Sequence, residues 1–268
     1  MTGCKPISTP MAIKGRTTST SNELFNDPTF YRSLVGGLQY LTITRPDIVF
    51  SVNFVCQFMH EPTVGHYQVV KRILRYIYGT LDYGMNITSQ STLDLYAFSD
   101  ADWAGCPLTR RSTTRYCTFL GANCLSWCAK KQPTVARSSA EAEYKSMSST
   151  TVELTWLTYL LRDIGIVLAK PPILHCDNLS ALHMTVNPVF HGRTKHIELD
   201  YHFVREKVAM GNLVTHFVSS QAQLADIFTK PLPRSIFMDL RNKLGLSLMP
   251  RPSLRGSIED NGPTYQKN

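Results

Sequence analysis

LDLYAFS (residues 93–99) and CTFLGANCLSWCAK (117–130) are rich in apolar and aromatic side chains and read as three successive strands, the second and third parted near Gly121–Asn123. Downstream the pattern changes period. A long helix is expected over Ser139–Asp163, a short buried strand at ILHCD (173–177) and a short helix from Asn178 to Val186. A polar helix over Thr194–Met210, a strand at LVTHFVS (213–219) and a helical stretch opening at Gln223–Phe228 complete the series. Three strands followed by alternating helices and strands describe an α/β (α+β mixed) fold, a mixed sheet with helices packed on it.

Upstream the character is helical. Tyr31–Leu41, a helix restarted by Pro46 and Asp47, and His66–Tyr78 are joined by short connections and form a small helical subdomain, with Pro46 suited to a first helical turn. The organisation is therefore an irregular lead-in at 1–27, helices at 28–90, the mixed-sheet part at 91–247 and a disordered tail at 248–268.

The 268 residues suffice for one large domain or two modest ones, and 43% hydrophobic against 18% charged residues excludes a disordered chain. No apolar run approaches the ~20 residues of a membrane span, so no membrane partner is expected. MTGCKPISTPMAIKGR has no apolar signal core, so the protein is expected to stay inside the cell, in the cytoplasm. Seven cysteines without a CxxC pair, several in apolar stretches, read as buried free thiols.

The net charge of +8 suggests a polyanionic partner. Between Asp102 and Glu141 there is no acidic residue, whereas Arg110, Arg111, Arg115, Lys130, Lys131 and Arg137 all lie there. One-signed charge on that scale favours phosphate contact over a merely solvated surface. Lys71, Arg72 and Arg75 form a second basic set, on the polar side of a helix, where a solvated face explains them equally well. Among the tryptophans, Trp127 and Trp156 read as core, while Trp103, in a loop after the first strand, is a candidate for stacking on bases.

Four carboxylates sit where side chains can converge: Asp100 and Asp177 at strand ends, Glu143 early in the long helix, and Asp226 at the start of a late one. Steps of three and four from Glu143 reach Met147, Thr150, Leu154, Leu157 and Leu161, so Glu143 lies on the core-facing stripe. Glu141, about 200° around the helix, should face solvent or substrate, or cap the helix. An unpaired buried carboxylate is costly, and metal coordination explains its tolerance. Oxygen-only ligation suits Mg2+ or Mn2+, and two such ions could serve an in-line phosphodiester displacement. Each Asp taken alone could equally be a cap. A zinc site from His191, His196 and His202 lacks nearby thiolates.

YRSLVGGLQYLTITRPDI (31–48), HYQVVKRILRYIYGTLDYGM (66–85), SDADWAG (99–105), the stretch from SWCAKKQPTV to SSAEAEY (126–144), HCDNLSAL (175–182), NPVFHGRTKHIELDYHFVREKV (187–208) and ADIFTKPL (225–232) closely resemble the C-terminal part of copia-type retrotransposon polyproteins. The resemblance runs from CKPISTPMA to LRNKLGL, about nine-tenths of the chain. It implies a reverse-transcriptase thumb or connection region, then a ribonuclease H fold with a five-stranded mixed sheet. It also implies cleavage of the RNA strand of RNA–DNA hybrids, with Asp100, Glu143, Asp177 and Asp226 as metal ligands and the rest of the Pol polyprotein as partner. The polymerase Tyr-x-Asp-Asp motif is absent, so the fingers and palm are expected outside this sequence. In TRRSTTRYCTFLG (109–121) Arg115 stands where the family usually has Gly, and would strain a turn needing positive φ. A non-catalytic nucleic-acid-binding remnant is therefore the competing reading, and a purely structural protein a distant third.

Overall fold

A computed structural model describes residues 3–13, 23–106, 108–186 and 198–249. The three expected helices are α1 (Pro28–Leu41), α2 (Val49–Cys56, entered through a 3-10 turn at Pro46–Ile48) and α3 (Val64–Tyr78). Local chemistry starts them. Asp27 accepts from Phe30 N at 2.8 Å ahead of Pro28, and Thr63 with His66 forms a reciprocal capping box.

Strands β2 (Leu95–Asp102), β3 (Thr113–Leu120) and β4 (Asn123–Lys131) follow the short β1 (Tyr83–Met85). Next come α4 (Ser139–Asp163), β5 (Ile173–Cys176), α5 (Leu179–Val186), α6 (Glu198–Ala209) and β6 (Val214–Phe217). A 3-10 turn at Leu224–Phe228 leads to α7 (Arg234–Lys243) and β7 (Leu246–Leu248). The main sheet has the order β4-β3-β2-β5-β6, antiparallel among β4, β3 and β2 and parallel among β2, β5 and β6. This is the five-stranded mixed sheet with flanking helices that the sequence led us to expect.

The sheet is covered on both faces. Met147, Leu154, Leu157 and Leu161 of α4 pack on Leu95, Ala97 and Leu174, which is the stripe read from helical phase. Cys117, Phe119 and Cys124, with Tyr96, Phe98 and Trp127, share one core with α1, α2, α3, Leu224–Phe228 and α7. Trp127 Nε1 donates to Thr42 O at 3.0 Å, and Asn53 Nδ2 to Ala129 O at 3.1 Å, so the helical part is stitched directly to β4.

Several expectations need correcting. Trp156 is 55% exposed rather than core. Arg72 Nη2 donates to Thr9 Oγ1 and Arg75 Nε to Lys5 O, so two of the three cations on α3 hold down the lead-in. The polar helix begins at Glu198 within the described residues, and the tail lies outside them apart from Leu248 and Met249. Strands β1 and β7, which pair antiparallel across more than 160 residues, were not foreseen. Three-residue strands carry too little alternation to be read.

Candidate active site

Residues on four elements meet at the C-terminal ends of β2 and β5. Ser146 sets how closely α4 approaches: its fully buried hydroxyl lies 2.8 Å from Asp100 O, 3.2 Å from Arg115 O and 3.0 Å from Ser99 Oγ. A larger side chain would hold the helix off the sheet. One turn earlier, Glu143 reaches the strand end and its Oε1 accepts from Ala101 N at 3.2 Å. Its Oε2 is buried and meets no fixed donor among the described residues, and the side chain that the carboxyl shares a hydrogen bond with is another acid, Asp100. Ligand atoms of Glu143, Cys176 and Asp177 lie within 4.8 Å of one another.

Asp177, just past β5, accepts from Ser220 Oγ at 2.8 Å. Asp226 comes from the opposite side on the 3-10 turn, which Gln223 anchors. That fully buried amide donates to Ser99 O at 2.9 Å, one residue before Asp100, and accepts from Ala225 N. Asp226 pairs with Lys230 Nζ at 2.6 Å. Gln223, Ser146, Ser220 and Lys230 escaped the sequence reading. Only the Gln-x-x-Asp spacing, a cap just ahead of a turn, hinted at the first.

The electrostatics are those of crowded anions. Burial first, then the charges of Asp100 and Asp177, push Glu143 up to about 9. Burial, then Asp226 and Asp177, push Asp100 up to about 6, with Arg115 opposing. Burial raises the Cys176 thiol, reinforced by Glu143, Asp177 and Asp100, so it stays protonated and leaves the oxygens as donors. Two buried acids that must share a proton in the absence of a cation fit a site for a hard divalent ion.

Arg115 is not in a turn. It lies within β3 directly across from Asp100, and positive φ falls instead on Ala104 (52°) and Arg110 (53°) in the preceding loop. Only 5% exposed, it donates from Nη2 to Asp102 Oδ2 at 3.4 Å, so phosphate contact is closed to it. Glu141 likewise departs from expectation. It is buried, accepting from Arg137 N and Lys145 Nζ, both at 2.8 Å, while Ser138 caps α4 by accepting from Glu141 N. The capping alternative suits it better than a solvent-facing one.

The remaining basic residues are exposed at the same end of the sheet. Rows Ala101–Thr114–Lys130 and Asp102–Thr113–Lys131 cross β2, β3 and β4, placing both lysines two strand spacings, about 10 Å, from the acid-bearing strand. Trp103 is 50% exposed and its Nε1 donates to Ala136 O at 3.1 Å, joining the loop that carries Arg110 and Arg111 to the one that carries Arg137. Of the histidines, His191 and His196 lie outside the described residues, and His202 is exposed, 3.9 Å from Glu198.

No protein-family model matches the chain. It is 48% identical over 258 residues to the retrovirus-related Pol polyprotein from transposon RE2 of Arabidopsis thaliana, covering 96% of this chain and 18% of that protein. The corresponding polyprotein from transposon RE1 of the same plant is 48% identical over 250 residues, 93% of this chain and 17% of its own length. The chain thus spans under a fifth of the length of these two relatives. Among solved structures, LC11-RNase H1 in complex with an RNA/DNA hybrid, from a compost metagenome, aligns at 12% identity and a TM-score of 0.37, over 50% of this chain and 91% of that one.

Proposed function

The chain belongs to the retrovirus-related Pol polyproteins of copia-type transposons, and from that premise we propose that its mixed-sheet part is a metal-dependent ribonuclease H acting on RNA–DNA hybrids. The observation that supports the reading is the meeting of Asp100, Glu143, Asp177 and Asp226, with Glu143 Oε2 buried and given no fixed donor among the described residues. These four carboxylates would hold Mg2+ or Mn2+, as a pair of ions. When bound, such ions polarise the scissile phosphate and lower the cost of deprotonating the attacking water.

The chain's own residues do the rest. Ala101 N holds Glu143 in place, Gln223 fixes the turn under Asp226, and Ser220 orients Asp177. Arg110, Arg111, Lys130, Lys131 and Arg137 form a margin for the hybrid's phosphates, and Trp103 offers a ring to its sugar or base edges. A shape-reading surface of this kind expects little sequence preference. Helices α1–α3 are assigned to the thumb or connection region, with the rest of the Pol polyprotein as partner.

The test is cleavage of a labelled RNA–DNA hybrid by the 268-residue chain, with Mg2+ or Mn2+ and with chelator. Metal-dependent cleavage of the RNA strand alone is expected. A second reading, a hybrid-binding chain without turnover, is favoured by one observation: Lys230 and Arg115 already occupy Asp226 and Asp102. Hybrid binding with no cleavage at saturating Mn2+ would establish that reading instead.

A further inference from the structure

We propose that the Arg115 guanidinium is a resident cation of the acidic crevice, which weakens divalent-ion binding on its Asp100–Asp226 side and stabilises the chain without metal. The inference rests on reading the crevice as a metal site.

The placement of Arg115 follows from register. Directly opposite residues of an antiparallel pair project from the same face, so Arg115 shares a face with Asp100. It also shares that face with Cys117 and Phe119, which pack in one core with the Leu224–Phe228 turn bearing Asp226. From α2, Phe50 closes over it, with the ring centre 5.9 Å from Cζ. Burial is the larger effect and lowers its pKa, and the carboxylates of Asp102, Asp100 and Asp226 offset part of that cost.

Its hydrogen bonding is incomplete. Guanidinium carries five N–H donors, yet Nε and Nη1 are buried with no partner among the described residues, and the contact to Asp102 is long. Fitted acceptors therefore do little to hold this group, and the nearby acids are what offsets part of its burial. A divalent ion beside Asp100 and Asp226 would meet a fixed positive charge that has no route to solvent. Lys230 differs in that respect. Its side chain is 54% exposed and can swing aside when Asp226 is claimed.

Neutralising Arg115 should therefore move two quantities in opposite directions. Divalent affinity should rise, because a repelling charge is gone. Stability in chelator should fall, because the acids lose their only buried counter-charge among the described residues. Damage to packing alone would lower both.

Mn2+ binding is measured on the full chain from the electron paramagnetic resonance signal of free Mn2+. R115M and R115Q remove the charge and keep an unbranched stem, R115K keeps a charge, D177N serves as control, and circular dichroism checks that each folds. Mn2+ should bind R115M and R115Q about tenfold more tightly than the parent. R115K should stay near the parent, and both neutral variants should melt earlier in chelator. Unchanged or weaker Mn2+ affinity in both folded neutral variants, with the parent still binding in a D177N-sensitive way, overturns this inference and leaves the metal-site reading standing. Mn2+ binding that is absent throughout, or indifferent to D177N, removes the metal-site reading and this inference with it.

Discussion

Replacing Glu143 with Gln tests whether the buried carboxylate is a group awaiting a cation. Folded chain holds the Glu143 proton up to about pH 9, whereas the unfolded chain releases it near the ordinary 4.5. Across that window the folded form binds the extra proton, so stability falls as pH rises, by ~1.4 kcal/mol per unit. Between pH 6 and 8 the metal-free parent should lose about 3 kcal/mol from this group alone, roughly 5–10 °C in Tm for a chain of this size. His66 and His175, both lowered by burial, act in the opposite sense near pH 6.5, and do so equally in both proteins. E143Q keeps the shape and an oxygen for Ala101 N, so its melting in chelator should lack that loss and exceed the parent's at pH 8. Mn2+ should raise the parent's Tm at pH 8 and leave E143Q nearly unmoved. Melting curves by circular dichroism at the two pH values decide it. Equal pH slopes for parent and variant would refute the argument that Glu143 is held protonated by its neighbours.

Other outcomes follow from the same geometry. D177N should abolish hybrid cleavage while metal-free stability stays level or rises, since one of several like charges is removed and amide oxygen is a poor ligand for a hard ion; a large loss of Tm with cleavage preserved would make Asp177 structural. K130A/K131A should weaken hybrid binding and reduce the slope of log K against log salt by about two, read by anisotropy titration, whereas an unchanged slope would make both lysines solvated surface. Q223A should cost about 1–3 kcal/mol in urea unfolding, because the buried bonds from its amide to Ser99 O and from Ala225 N to its Oε1 are both lost; a cost near zero would mean that the turn under Asp226 is held by its packing alone.

Where the signal was periodic, the sequence was enough. The α4 stripe from Met147 to Leu161, legible as helical phase, is the one that packs on the sheet, and the same phase turns Glu143 toward the crevice. Phase failed for Glu141, because the same turn that points it away from the sheet tucks it under the Thr134–Arg137 loop, a contact made by tertiary folding. Arg115 was misread for a related reason. A glycine expected at that position suggested a turn, while the structure places the residue in mid-strand, where lack of a side chain and positive φ are separate causes for glycine. Trp156 shows the limit of composition, since a large apolar ring on a long helix carries no label of which face it will meet. Ser146 and Gln223 act through hydrogen bonds to backbone carbonyls of distant residues, and no local pattern announces those.

The core that joins α1–α3 to the outer face of the sheet also bears on how the chain is made. Val35, Val52, Val70 and Ile73 are buried together with Phe119, Phe228, Leu240 and Leu246. At ~5–20 residues per second, the ribosome needs roughly 10–30 s to pass from the end of α3 to α7. Until Phe228, Leu240 and Leu246 are made, those residues of α1–α3 lack part of the apolar cover they have in the finished fold. Synthesis of this chain therefore opens a period of exposure that the finished fold conceals, and a holding chaperone would find its binding surface on α2 and α3.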